Sequence, residues 1–372
     1  MKNNKARQNQ PGYILVFSLM FIALVVMLAT RISNRGLLHV SYAKIMIDRE
    51  HAKMLALSGL QIAMAQLSTL EEEKKNAEEK NKKDAKKTPS KSALWTEKEA
   101  KEFIKNVWPL MYKWQEFKLT RDKYGTDGVV KICIGAEGGK ININQTFDFD
   151  KRKFIGEGQK KDNYQEFYKN IFKKINTFVK GEKRFEAFEN YLKKKQQFEK
   201  ILKSRQNRLY DPTEFLKLDG FVGFGNKVFY KPQETIMEKG KVVKTKATVY
   251  WTDIFTIWSG SKKISPWLVS PSIKRLLKFK GQDLKKKAES IAKKFKANLA
   301  FPADWDKVFE PVFGVKYKNL PDWLKFVFDT KFEPKTFSVL SYGKVGDVSQ
   351  KIFAIIERKK VKRKKKTVVE FE

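Results

Sequence analysis

The sequence predicts an α+β fold: a long N-terminal helix, then an α/β domain interrupted by a mainly helical insertion. Three observations predict it. From Tyr13 to Leu67 the chain has no proline and keeps apolar residues at helical spacing. Runs that alternate apolar and polar residues around glycine turns read as strands, first in "EFKLTRD" and "GVVKICIGAEGGKININ", then in "KTFSVLSYGKVGDVSQKIFAIIERKK". The long tract between them is dominated by helical periodicity.

The helix opens on "YILVFSLMFIALVVMLAT", an uncharged stretch just long enough to enter a bilayer. Lys2, Lys5 and Arg7 precede it, which keeps the leader cytoplasmic and sends everything after Arg31 across. The helical pattern continues past the membrane length through Leu38, Ile45, Met54, Leu57, Leu60, Met64 and Leu67. At 1.5 Å per residue the whole segment spans roughly 80 Å, half in lipid and half in water. Its second half carries Ala52, Ala56, Ser58, Gly59, Ala63 and Ala65, small residues that permit close packing. Three readings fit: a cleaved secretory signal, a plain signal anchor, and a prepilin-type signal cut after Gly12. A secretory signal has an apolar core of about 7–15 residues and a small-residue cleavage site. This run is longer, and no clean A-x-A follows it.

The leader, Gly12 before the apolar run, and the uninterrupted helix together resemble a type IV pilin or pseudopilin. The tract "DREHAKMLALSGLQIA" resembles the minor pseudopilin K of type II secretion, general secretion pathway protein K, at Asp48, Arg49, Ala52, Leu55, Ala56, Gly59, Leu60 and Ala63. The resemblance implies cleavage between Gly12 and Tyr13, with the helix kept in the mature protein. It also implies that Phe17 holds the fifth mature position, where most pilins carry Glu. K-type pseudopilins lack that Glu, which marks a subunit with nothing above it; an unpaired carboxylate in lipid is costly. Phe17, Ala56 and Gly59 are the expected helix-packing positions.

Composition bounds the remainder. The chain has 372 residues and a formal charge of +36, with Lys the main source. Aromatics at 13% argue against disorder. The single Cys133 excludes an intrachain disulfide and reads as a small apolar strand residue. The expected organisation is a leader at 1–12, the helix at 13–68, a charged linker at 69–94, a first part of a pilin-like α/β domain at 95–150, a mainly helical insertion of sterile-alpha-motif-like type at 151–325, and a C-terminal hairpin completing the sheet at 326–372. "WTEKEAKEFIKNVWPLMYKW" reads as an amphipathic helix with Ile104, Val107, Trp108 and Met111 on one face. Turns are expected at Tyr124–Gly128, at Gly138-Gly139 and at Gly343–Asp347, and "TVVEFE" as a further edge strand.

Two more tracts carry the family resemblance. In "GGKININQ", Glu137, Gly139, Asn142 and Asn144 match the place where K-type chains leave the sheet. Asn suits such an exit because its side chain bonds neighbouring backbone groups. In "YWTDIFTIWSGSKKISPW", Thr252, Asp253, Phe255, Thr256, Ser259, Gly260, Lys263 and Ile264 match, the last two after a one-residue insertion. Calcium sites are known in that family, but its ligands have no match here, and Glu137, Asp148 and Asp150 are the alternative ligand set. They form no complete calcium-loop pattern, so no cofactor is expected.

Catalysis finds little support. The two histidines, His39 and His51, both sit on the N-terminal helix, so no Ser-His-Asp set or metal cluster can be assembled. "GFVGFGNK" lacks the GK of a phosphate loop. Lys with aromatics at Tyr168, Phe172, Phe178, Phe185, Phe188, Tyr191 and Phe198 permits two readings, single-stranded nucleic-acid binding or a core stripe. The helical spacing and the scarcity of Arg favour the core. The resemblance implies a minor pseudopilin at the tip of a type II secretion pseudopilus, not an enzyme. Its partners would be the I- and J-type minor pseudopilins, prepilin peptidase and the inner-membrane assembly platform, with the bulk of the chain periplasmic. The alternatives are a minor pilin of a type IV pilus or competence system and a membrane-anchored nucleic-acid-binding protein.

Overall fold

The computed structural model describes residues 11–68, 95, 97–159, 162–179, 181–202, 208–230, 235–238, 241–244, 248–279, 284–294, 306, 309–310, 313–329, 334–363 and 366–371. Residues 1–10 of the basic leader and the charged linker at 69–94 lie outside the described residues.

Helix α1 runs from Pro11 to Ser68 without a break. It is exposed from Tyr13 to Ile47, and its last turns, about four and a half of them, lie on a sheet, burying Ala52, Leu55, Ala56, Ala63 and Leu67. This differs from the large-residue stripe the spacing suggests, because Met54 and Leu57 face solvent. The reason is the closeness of the approach. A Cβ on Gly59 would stand 2.2 Å from Ser341 Oγ and 2.8 Å from Val130 Cγ1. A Cβ on Gly343 would stand 2.0 Å from the Ala52 carbonyl oxygen. Only small residues fit where the two backbones come this near.

The sheet has strands β1 (Gln115–Leu119), β2 (Gly128–Ala136), β3 (Thr336–Val345), β4 (Val348–Arg363) and β5 (Lys366–Phe371), side by side in that order. Every pairing is antiparallel. Strands β2 and β3 are neighbours, with Val129 opposite Lys344 and Ala136 opposite Phe337, although about 200 residues separate them in sequence. The chain therefore leaves the sheet after Ala136, builds the insert, and returns at Thr336. Helix α2 (Glu97–Asn106) shares one hydrophobic core with α1, with Phe103 against Phe337 at 5.9 Å. A buried ion pair, Arg358 to Glu99 at 3.4 Å, ties α2 to β4, and the guanidinium lies 3.7 Å over the Trp95 ring.

Local boundaries differ from the sequence expectations at three places. The amphipathic helix ends at Asn106 and a 3-10 turn, Trp108–Leu110, follows, because Pro109 cannot continue the α-helical ladder. Strand β2 stops at Ala136, and Ile141–Asn142 instead pairs in parallel with Phe255–Thr256 of the insert. The hairpin turn is Gly346-Asp347 alone, with Val345 opposite Val348. Gly346 has φ +54°, the left-handed conformation a two-residue turn needs. Gly343 lies inside β3, opposite Val130 and Gln350.

The insert contains α3 (Tyr164–Phe178), α4 (Arg184–Leu202), α5 (Pro271–Leu276) and α6 (Leu284–Lys294), with short 3-10 turns between them. Asn163 caps α3 by accepting from Glu166 N at 3.2 Å. Asp211 and Glu214 form a reciprocal capping box on the turn Pro212–Lys217. The core is aromatic: Tyr168, Phe172, Phe188 and Trp251 surround Phe255, with Trp251 centred 4.4 Å from it, and Phe215 and Phe221 pack on Trp251. The aromatics that could have stacked on bases are therefore the filling of the insert. The Phe198 side chain lies outside the described set.

Candidate functional site: the N-terminal helix and the polar root of the insert

Helix α1 offers the first candidate surface. Gly12 and Tyr13 lie in its first turn, and Phe17 is 64% exposed on its flank. The helix is long and apolar enough to cross a membrane, and none of its most apolar window is buried inside the protein. It is thus not a core helix. Two hydroxyls in this stretch are satisfied within the helix: Ser18 Oγ donates to the Ile14 carbonyl at 2.8 Å and Thr30 Oγ1 to the Val26 carbonyl at 2.9 Å. Beyond Arg31 the helix still presents Leu37, Leu38, Tyr42, Ile45 and Ile47, all more than half exposed. Apolar stripes of that extent mark contact surfaces. Farther along, Ala56 is fully buried and Gly59 meets the sheet.

The second candidate is the place where the insert leaves the sheet. Gly139 sits so close to the backbone of Leu268 that a Cβ there would fall 1.7 Å from its carbonyl oxygen. Next to it, Ser265 N donates to the Gly138 carbonyl at 2.7 Å. Asn142 uses both ends of its amide: Oδ1 caps the turn Ile143–Thr146 by accepting from Gln145 N, and Nδ2 donates to the carbonyl and hydroxyl oxygens of Ser259. Asn144 bridges to the backbone of Leu209, donating to its carbonyl at 3.0 Å and accepting from its N–H at 2.9 Å. Thr252 donates twice to the Val228 carbonyl, through N at 2.9 Å and Oγ1 at 2.8 Å. Asp253 Oδ2 accepts from Ser272 N at 2.7 Å, at the start of α5. The four matched residues are brought into one region, each fastening a different loop of the insert.

Charges are buried at this root. Glu137 and Lys140, 0% and 4% exposed at the side chain, form an ion pair, and Lys140 Nζ also donates to Ser338 Oγ of β3 at 3.3 Å. Lys140 and Asp253 line a cavity of about 20 Å3, with Tyr112, Cys133, Tyr230 and Ser338; that is room for about one water. Desolvation raises the Asp253 carboxyl above its ordinary range, and the Lys140 ammonium only partly offsets this. Asp253 Oδ1 and Glu137 Oε2 are buried without a hydrogen-bond partner. Burial likewise pushes up the Cys133 thiol and the Tyr112 and Tyr230 hydroxyls, so none of them is a poised nucleophile.

The acidic set Glu137, Asp148 and Asp150 is not gathered: Glu137 is committed to Lys140, and Asp148 to Lys151 at 3.6 Å. Among the described residues, no three His, Cys, Asp or Glu side chains stand where they could share a metal ion. Sequence reasoning passed over Lys140 and the pair Glu99–Arg358. The only signal for the first was the i, i+3 spacing of Glu137 and Lys140. The second joins residues 259 apart and left no local trace.

No protein-family model matches the chain, and no curated protein does. Among solved structures, it is similar to a chain of the GspK–GspI–GspJ complex from the enterotoxigenic Escherichia coli type 2 secretion system. The two share 12% identity over 91% of this chain and 98% of that one, with a TM-score of 0.39.

Proposed function

We propose that the chain is a minor pseudopilin of type II secretion, similar to general secretion pathway protein K, and acts as a structural subunit. The observation that carries this is α1 itself. One continuous helix presents an unburied, membrane-length apolar half, and its small-residue half is seated on an antiparallel sheet at Gly59 and Gly343. A tether alone needs only the first half. A helix that also serves as the spine of the folded domain couples membrane insertion to side-by-side packing of subunits.

In this reading prepilin peptidase trims the chain after Gly12 and leaves Tyr13 at the mature N-terminus. The apolar helix stays in the inner membrane until it is drawn into the fibre by the assembly platform. Phe17 stands where a glutamate would pair with the subunit above, which suits a position at the tip. The insert, rooted by Asn142, Asn144, Thr252 and Asp253, adds bulk that stacking from above would exclude. The I- and J-type minor pseudopilins would lie along the exposed stripe of α1 from Leu37 to Ile47. Burial of Tyr168, Phe172 and Phe188 removes the main motive for the nucleic-acid reading.

The test is the N-terminal residue of the protein in its native membrane, read by mass spectrometry. A start at Tyr13 is the expected result. An intact Met1 would replace the reading with a plain signal anchor, and a start beyond residue 29 with a secreted protein.

A further inference from the structure

The face of the sheet opposite α1 carries a second surface. Helix α1 meets Val130 and Ile132 of β2 and Ser341 of β3. The alternate residues therefore point away from it. Lys131, Tyr342 and Lys351 lie directly opposite one another across β2, β3 and β4. In the next row Lys118 of β1 faces Val129, which faces Lys344 of β3. Four lysines and one acid, Glu116, occupy this part of the face. Glu116 pairs with Lys131 at 3.1 Å, and both are more than a third exposed. Lys118, Lys344 and Lys351 are exposed and have no acidic partner among the described residues.

Half-buried aromatics adjoin the lysines. Trp114 meets Tyr342 edge-on at 5.3 Å, and Phe353 lies between Phe229 and Trp258 at 5.4 and 6.0 Å. An antiparallel sheet commonly leaves one face to water. A solvated face does not ordinarily carry a row of large rings, which are what interfaces enrich, and the lysines beside them set the sign of charge that a partner must bring.

We infer that this face docks an extended acidic segment of a partner protein, one that carries Glu or Asp at alternate positions. Two arguments select that occupant. The lysine rows are two residues apart along the strands, roughly 7 Å, the spacing at which alternate side chains of an extended chain recur. Carboxylates on one side of such a segment would meet successive rows. A single-stranded nucleic acid fits less well. The cations are all Lys, where Arg serves phosphate and base stacking better. The Phe229 ring is already covered by Lys351 Nζ at 4.3 Å, and Tyr342 meets the Trp114 ring edge-on. The inference stands apart from the fibre reading, because it uses neither α1 nor the leader.

The experiment measures binding of a fluorescein-labelled decapeptide of alternating Glu and Val to the full chain in detergent, at several salt concentrations. The triple variant Lys118→Gln, Lys344→Gln, Lys351→Gln is compared with a control that removes equal charge from the insert, Lys217→Gln, Lys278→Gln, Lys318→Gln. All six lysines are exposed. The expected result is about tenfold weaker binding for the sheet triple and less than about twofold for the control. The single variant Lys351→Glu should weaken binding in the same direction and keeps the test independent of any folding defect in the triple. Equal losses in both triples would mean that only the bulk charge attracts acid. If a twelve-residue oligothymidylate loses affinity in the sheet triple while the peptide does not, the occupant is a nucleic acid and the inference is overturned.

Discussion

Gly343→Ala is the sharpest probe of the seat that joins α1 to the sheet. The added methyl would stand 2.0 Å from the Ala52 carbonyl oxygen, 2.6 Å from Ala56 N and 2.8 Å from Leu55 Cβ. Two of these are backbone atoms in the middle of a helix, which cannot turn aside as a side-chain tip could. Ordinary carbon–oxygen contact needs about 3.3 Å. The helix must therefore lift by roughly 1.3 Å along this stretch, and a gap of about 1 Å already forfeits up to half of a van der Waals well. The same lift loosens Gly59 on Ser341 and Leu55 on Gly128. Overpacking costs about 1–3 kcal/mol, and this case belongs at the upper end, about 3 kcal/mol. That lowers Tm by roughly 4–6 °C for a domain of this size. The assay is thermal unfolding of the detergent-solubilised full chain, followed by near-ultraviolet circular dichroism. Gly36→Ala is the control, since a Cβ there meets nothing within 4 Å; helix propensity makes it neutral or stabilising by up to about 1 kcal/mol. A Gly343→Ala protein that melts with the wild type would refute the close-approach argument.

Asn144→Ala removes both bonds to Leu209 and leaves that buried backbone unpaired; a loss of about 1–3 kcal/mol is expected in denaturant unfolding, with faster amide exchange at Leu209. Glu99→Gln removes a charge that faces the buried Arg358 and should cost more than the loss of any exposed Lys–Glu pair in the same chain, measured as a shift in denaturant midpoint. The Asp253 carboxyl, raised by burial, binds its proton more tightly folded than unfolded. Its contribution is therefore most favourable below the unfolded value of about 3.9 and is lost as pH rises toward the folded value. Asp253→Asn removes that dependence, so the stability of the wild type relative to the variant should fall with rising pH above about 4, by up to about 1.4 kcal/mol per unit. A constant difference from pH 4 to 8 would show that Asp253 is ionised at no cost.

The α+β class and the length of α1 could be read from local pattern, because proline-free helical spacing and period-two alternation are properties of neighbours in sequence. The face of α1 that is buried could not. The large residues Met54 and Leu57 point outward, while the contact falls on Ala52, Ala56, Gly59 and Ala63, whose smallness matters only against Gly343 and Gly128. Those glycines look like turn residues in isolation, and Gly343 was assigned to a turn for that reason. The polar root shows the same limit. Asn142 and Asn144 were legible as residues that suit a chain leaving a sheet, but their partners, Ser259 and Leu209, lie 117 and 65 residues away. Of the charges that set the electrostatics there, Glu137 was legible as a matched position, whereas Lys140 differs from the many other lysines only in standing three residues after it.

The insert enters and leaves between adjacent strands, and this explains why its root is polar. Strands β2 and β3 pair along their full overlap, so the sheet is complete without the insert. Loop-closure cost rises only slowly with length, so about 200 inserted residues burden that pairing by about 3 kcal/mol more than a short loop would. What an insert of that size does need is a fixed orientation, and apolar contact alone is not directional. The bonds of Asn142, Asn144, Thr252 and Asp253 supply direction at the exit, each to a separate segment. Lys140 adds a link from the insert's first turn back to Ser338 of β3. A buried ion pair is weak evidence of stability, but breaking one leaves a buried charge. The pair Glu137–Lys140 thus penalises any rotation of the insert that separates the two groups, more than it rewards the native one. The insert can vary in sequence and bulk on its outer surface while its attitude to the sheet, and so to α1, stays fixed.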